Sequence, residues 1–543
     1  MIPEEARRSA ADAFRRLPWS AEFYQRWRAA GQPPGAGYRL DRLAAALPAW
    51  TAAARSVRET RTDQPSRRVL VFAYLSWWLE HAATLSLLLA ALGHRVRLVF
   101  LPYRRWTEDP APFDVRRQGA YLRSLFRPAR GLFTVADASS ISPGTLPAEL
   151  ERDLTRQSFL DVQYTLQRED VDPESDRAAA SLLAHRLRRN RLAACAVLRW
   201  IDRNEVDTVV VPNGTILEFG AVYRAARFRG KPVTTYEFGE QRERLWLAQN
   251  GQVMRQETGD LWRARGVVPL TASEHNELQA MYAARRAGSR WANFARQWQA
   301  GVSEGAAAAR DRLGLDPSKP VVLICTNVVG DSLALDRQVF TRGMADWLAD
   351  SVRRLAGRAD VQTIVRVHPG EILGAAHPSQ EIVRAALPDL PASLHLIPSD
   401  SPINTYDLIE LAHLGVVYTS TVGLELAMAG VPVIVAGATH YRGRGFTSDP
   451  ESFPEYGEML ERLIADAPGR RLSDEQIDLA RRYAYRFFFE YPFPFPWHLI
   501  GFWDDVGRRP PEDVLRVGGL EPYRRTLEAL VGEPVDWAGG AQA

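Results

Sequence analysis

At 543 residues the chain is long enough for two substantial domains, each with its own core. A composition of 46% hydrophobic and 24% charged residues is that of a soluble globular protein. The formal net charge of +3 gives no ground for a nucleic-acid partner, and none is expected.

The first part of the chain, 1–66, reads as a helical extension broken by Pro18 and the loop GQPPGAG. Within it Trp19, Phe23 and Trp27 are explained by packing on the following domain better than by an amphipathic membrane helix. The sequence MIPEEARRSAADAFRRLPW is interrupted by charge and lacks the apolar core of a signal peptide. A first strand is expected over Arg68 to Tyr74, a helix over Ser86 to Leu92 and a second strand over Val96 to Leu101. The first strand leaves through SWWLEH rather than a GxGxxG turn, which argues against an NAD or FAD enzyme.

A long amphipathic helix over Leu182 to Ile201 feeds the strand Thr208 to Val211, which exits at PNGT. A helix to Phe228 and the strand Val233 to Tyr236 follow, ending at Glu237. This is the βαβ grammar of a parallel sheet. Residues from Arg242 to Arg310 look helical and are expected to close the first domain and form the bridge to the second. The turn DPSKP, Asp316 to Pro320, then restarts the pattern with the strand Val321 to Cys325.

Most of the chemistry lies between Val361 and Phe446. An apolar β-branched run ends in His368-Pro369-Gly370, so a buried strand delivers a histidine into a turn. A strand from Gly415 to Tyr418 exits at Thr419, Ser420 and Thr421 directly before a helix, and another strand leads to Tyr441, Arg442 and Arg444. A hydroxyl cluster at a helix start sets donors beside unpaired N–H groups, a ready site for phosphate. Arg366, His368, Arg442 and Arg444 add charge or directional donors, and Tyr441 shares a short glycine-containing loop with the last two arginines. Glu425 suits a ribose diol better than a phosphate.

The segments TNVVGDS, RVHPGE, YTSTVGLELAMAGVPVIVAG and HYRGRGFTSDP resemble the bacterial capsule polysaccharide biosynthesis glycosyltransferases. These are GT-B enzymes that move sugars from nucleotide donors onto growing surface glycans. The resemblance runs from about Val209 to His498 and is strongest after Pro320. It implies an α/β fold with two Rossmann-like domains facing a central cleft. It also implies that His368 and the Ser420-Thr421 pair hold donor phosphates, and that Glu425 lies at the nucleoside. The expected division is an N-terminal extension 1–66, an acceptor domain 67–310, a nucleotide-sugar domain 311–485 and a crossover 486–543 that packs back on the acceptor domain.

In such a cleft Thr326 and Asn327, at the exit of the first second-domain strand, are expected to touch phosphate or the transferred sugar. A base for the acceptor hydroxyl is sought at strand exits, which favours His81 and Glu237 over Glu218. No DxD motif stands at a strand exit, so no catalytic metal and no cofactor beyond the nucleotide-sugar co-substrate are expected. Cys195 and Cys325 form neither a metal spacing nor a disulfide framework, in keeping with a reducing cytoplasm. The expected partners are a nucleotide sugar and a glycan or lipid-linked glycan acceptor, with room for peripheral membrane contact and homo-oligomers. Two other functions fit the same residues, polyol-phosphate transfer of the teichoic-acid type and glycan binding without catalysis; a nonhydrolysing sugar-nucleotide epimerase fits less well, because it would act on a free nucleotide sugar without a large acceptor region.

Overall fold

The computed structural model describes residues 13–29, 33–34, 39–60, 66–141, 144–291, 301–373, 378–467, 469 and 471–539. The first twelve residues and most of the GQPPGAG loop lie outside that set. Among the described residues twelve strands form two separate sheets. The first is built from β1 (Arg68–Ala73), β2 (Arg95–Phe100), β3 (Phe133–Asp137), β4 (Thr208–Pro212), β5 (Val233–Glu237) and β6 (Arg244–Gln249). The second is built from β7 (Val321–Cys325), β8 (Gln362–Arg366), β9 (Leu394–Ile397), β10 (Leu414–Val417) and β11 (Val433–Val435). The short β12 (Phe493–Pro494) returns to the first sheet.

The strand orders are β12-β6-β5-β4-β1-β2-β3 and β11-β10-β7-β8-β9. Every pairing is parallel except β5 with β6 and β6 with β12. Parallel strands must be covered on both faces, which is why TVVVP, VVLIC and QTIVR are buried along their whole length. In each sheet the order reverses beside the strand that opens it, β1 or β7, and the strand ends there open a crevice where ligands bind. The two Rossmann-like sheets face a common cleft, as expected from the sequence.

Several local expectations change. The helix after β1 starts at Ser76 and runs to Ala91, so SWWLEH is its first turns and not a loop. The stretch after Arg242 is not all helical, because β6 pairs antiparallel with β5 and extends the first sheet. The following helices, Gly259–Arg265, Ala272–Arg286 and Ala306–Leu313, send Leu261, Leu278, Met281 and Ala309 into the core under the second sheet. They therefore do not close the first domain. Chain order suggested that role, but the apolar face of each helix finds the second sheet. After the aromatic run Arg486–Glu490, Phe493, Phe495, Trp497 and Leu527 join the first core.

Candidate active site

The cleft between the sheets has a volume of about 790 Å³ and is lined from both sides. That volume lies within the usual range for small-molecule sites. Its second-domain wall is made by the exits of β7, β8 and β10, which bring Thr326, Asn327, Arg366, His368, Thr419, Ser420, Thr421 and Glu425 together. Its first-domain wall carries Glu237 and Glu240 beyond β5, with the rings of Trp77, Trp78, Trp106, Tyr164, Phe219 and Trp246.

Cross-strand hydrogen bonds fix the second-domain wall. The His368 N–H donates to Thr326 Oγ1 at 3.0 Å, and the Thr419 N–H donates to Asn327 Oδ1 at 3.1 Å. Thr326 and the Asn327 side chain thus join the strand exits to one another. The Gly370 N–H donates to His368 Nδ1 at 2.9 Å. A ring nitrogen that accepts carries no proton, so the neutral imidazole of His368 bears its proton on Nε2 and offers it as a donor. Burial, with the Arg366 guanidinium adding to it, pushes the His368 pKa down to about 4. The group at the strand exit is therefore a neutral imidazole rather than an imidazolium. The turnover that depends on its N–H should be level from about pH 5 to pH 8, without the step near 6.5 of an ordinary histidine. A pH profile of kcat compared with that of a His368 variant reads this directly.

Gly370 has to be glycine for the same reason. A Cβ there would lie 2.9 Å from His368 Nδ1 and 3.1 Å from Cε1. Gly370→Ala should turn the ring aside and cut turnover roughly tenfold with the melting temperature nearly unchanged. Steady-state kinetics beside a thermal melt check it.

At the β10 exit the backbone corrects one expectation. The N–H groups of Val422, Gly423, Leu424 and Glu425 already donate to Ser420 Oγ, Ser420 O and Thr421 O. The helix start, Val422–Met428, thus satisfies its donors within the STV turn, and what faces the cleft is hydroxyl. Tyr441 is fully buried behind this turn, and its hydroxyl donates to Ser420 O. A Cβ on Gly423 would lie 2.4 Å from that hydroxyl, which accounts for the glycine in STVG.

Tyr441, Arg442 and Arg444 do not form a cover over the cleft. Arg442 donates to Val435 O at 2.6 Å and Pro450 O at 2.5 Å, and Arg444 lies over the Tyr483 ring. Neither arginine lines the cleft. Arg442 thus spends its donors on two carbonyls and on Glu451.

Glu425 lines the cleft but is not a lone carboxylate. Arg285 ion-pairs with Glu425 and with Glu240, and Tyr406 donates to Glu425 at 3.0 Å. Burial raises the Glu425 pKa, against the pull of Arg285. A ligand reaching this end meets a linked Glu240–Arg285–Glu425 group that spans both domains. Arg337 also lines the cleft, with its pKa lowered to about 10 by burial first and then by Arg255, so it stays charged at neutral pH. Arg285, Glu240 and Arg337 carry no motif around them. The chain brings them in from a bridging helix and from two loops.

On the first-domain wall Glu237 is held by Asn213 Nδ2 at 3.0 Å and by the Phe238 N–H at 3.0 Å. His81 is placed elsewhere. It is fully buried among Tyr236, Phe238, Phe495 and Phe502, and burial, then His498, lowers its pKa to about 3. A ring sealed among aromatics cannot meet an acceptor hydroxyl, so Glu237 alone of the two candidates faces the cleft. Glu218, equally buried, belongs to an ion network with Arg186 and Arg189. Among the described residues no cluster of three or more His, Cys, Asp or Glu has a metal-holding arrangement.

Two Rossmann-like sheets with a cleft at their facing strand ends make a GT-B-like fold. No protein-family model matches the chain, and no curated protein matches it. Solved structures do. The β-Kdo 2,4-transferase of KpsC from Thermosulfurimonas dismutans is 18% identical over 51% of this chain and 79% of its own, with a TM-score of 0.33. The calicheamicin glycosyltransferase CalG4 is 16% identical over 82% of this chain and 100% of its own, with a TM-score of 0.25. The UDP-GlcNAc 2-epimerase from Neisseria meningitidis, bound to UDP-GlcNAc, is 12% identical over 76% and 94%, with a TM-score of 0.23. These likenesses are distant, and the functional reading rests on the site itself.

Proposed function

We propose that the protein is a glycosyltransferase that moves a sugar from a nucleotide-sugar donor onto a surface polysaccharide or a related glycan, without a metal. The observation that carries this reading is the meeting, in one cleft, of the His368 N–H and the Ser420 and Thr421 hydroxyls with Glu237 on the opposite wall. Neutral donors fixed at strand exits suit the negative charge that grows on a departing nucleotide diphosphate. Arg337 and Arg366, charged and nearly buried, add a positive background. As the anomeric C–O bond breaks, the bonding pair leaves with the phosphate. In this reading Glu237 takes the proton of the acceptor hydroxyl that forms the new bond, which its position on the opposite wall supports.

The aromatic wall around Trp77, Trp106 and Trp246 suits the apolar faces of sugar rings, with the carboxylates setting orientation. In this reading the Glu240–Arg285–Glu425 group reads the ribose diol. The resemblance to capsule glycosyltransferases supports a bacterial surface glycan, built at the cytoplasmic side, as the acceptor. Incubation with labelled nucleotide sugars and glycan acceptors, read by product mass, tests the reading. Addition of one hexose, aminosugar or ulosonic acid unit is the expected result. A polyol-phosphate increment, or no turnover across the panel, would overturn it.

A further inference from the structure

The described part of the N-terminal extension presents a row of exposed rings. Leu17, Trp19, Phe23 and Trp27 are 54%, 79%, 58% and 70% exposed, although each is large and apolar. Singly such residues are ordinary, but a contiguous aromatic ridge on a soluble chain marks a surface that meets something. The ridge is not a loose segment waiting to fold inward, because its inner side is already docked. Tyr24 meets the Phe113 ring edge-on and lies under the Arg117 guanidinium, whose carbon is 4.7 Å from the ring centre. Arg116 donates to Arg15 O at 2.9 Å and Leu17 O at 3.2 Å, and Gln25 is buried.

Trp19 has φ of 60°, in the left-handed region that a bulky residue seldom adopts. That backbone is held by the contacts on either side of it, and it leaves the most exposed ring of the row. Strain of this kind is found where a side chain has a task. Phe23 and Trp27 stack at 6.1 Å between ring centres, which makes one apolar plate.

Charge selects the occupant. Arg15, Arg16 and Arg26 are exposed beside the plate. The one acidic residue between 13 and 28, Glu22, turns to Arg123, 3.8 Å away on the docked side. Aromatic rings accompanied by arginine, with the one carboxylate of residues 13–28 turned inward, match the interfacial zone of an anionic bilayer, where rings sit at headgroup depth and guanidinium groups meet phosphate. Among the described residues no helix is long and apolar enough to cross a membrane, so contact of this kind would lie on the surface.

We infer that the ridge from Leu17 to Trp27 docks the protein on an anionic lipid surface. The inference stands apart from the proposed transferase activity and is tested without it. The full chain is sedimented with vesicles of phosphatidylcholine, alone or with phosphatidylglycerol. Binding should be strong only with phosphatidylglycerol, should weaken with added salt, and should fall roughly tenfold or more in Trp19→Ser/Trp27→Ser and in Arg15→Glu/Arg26→Glu. Both pairs are on the surface, so unchanged melting temperatures confirm that the variants are folded. Parental binding by both variants would overturn the assignment, as would no binding to anionic vesicles. So would self-association in sedimentation velocity that the tryptophan pair abolishes, since the ridge would then belong to a second copy.

Discussion

Replacing His368 with alanine should lower turnover about a hundredfold while the fold stays intact. The Nε2–H is a donor whose value grows as charge develops on the departing phosphate, and losing one such group costs about 3 kcal/mol in the transition state. The side chain lines the cleft. Stability should therefore change little. His368→Gln, which keeps an N–H donor of similar reach, should recover part of the rate. Donor-saturation kinetics, with circular dichroism as the control for folding, gives kcat and KM separately. A fall confined to kcat fits a donor that acts on the leaving group, whereas a rise in KM alone would mean ground-state binding only.

The largest effect on stability is expected behind the opposite wall. Arg186, Asp161 and Glu218 are completely buried, and Arg189 almost so. Arg186 lies 2.7 Å from Glu218 and 3.4 Å from Asp161, and Arg189 lies 2.7 Å from Glu218. Asp161 also takes the Leu217 N–H at 2.5 Å, while Gln157 holds Thr215 O at 2.9 Å. These bonds keep the PNGT loop in its unusual shape, in which Asn213 and Leu217 have φ of 57° and 58°. The same loop orients Glu237 through Asn213.

Arg186→Leu would take the guanidinium from Asp161 and leave Glu218 with Arg189 alone, and should cost about 3–5 kcal/mol. Asp161→Asn should cost less, because it keeps the acceptor for Leu217 and removes only one charge. Urea unfolding measures both, and an Arg186→Leu variant as stable as the parent would contradict the network's role. Its pH dependence has a definite sign. Burial would raise the Glu218 pKa, but Arg186 and Arg189 outweigh it and hold it at about 2. The stability Glu218 contributes is thus complete above its ordinary pKa near 4.5 and is lost as pH falls toward 2. Asp161, raised by burial, works in the opposite sense.

The local grammar of the chain was enough for eight of the strands but not for β3, β6 and β9. Apolar β-branched runs at regular spacing identify most of the parallel strands, and turns such as HPG and PNGT mark where they exit. The convergence of His368 with Thr326, Thr419 and Ser420 follows, since residues at neighbouring strand exits are brought together by the sheet. What the sequence did not show depends on distant partners. His81 reads as a strand-exit histidine until Phe238, Phe495 and Phe502 close around it. Glu425 reads as a free carboxylate until Arg285 reaches it from a helix 140 positions away. Arg442 has the sequence context of an anion ligand, but Val435 O and Pro450 O take its donors. The bridging helices carry apolar faces that suit either core, and only packing assigns them to the second.

The exits of β7, β8 and β10 are expected to hold a nucleotide diphosphate against the first-domain wall. A crystal structure of the protein soaked with a panel of nucleotide sugars tests it most directly. The expected density places the diphosphate within hydrogen-bond reach of His368 Nε2 and the Ser420 and Thr421 hydroxyls, the ribose near Glu425 and Arg285, and the sugar toward Glu237. A diphosphate seated away from His368, or a cleft that takes up no nucleotide sugar at millimolar concentration, would contradict the account.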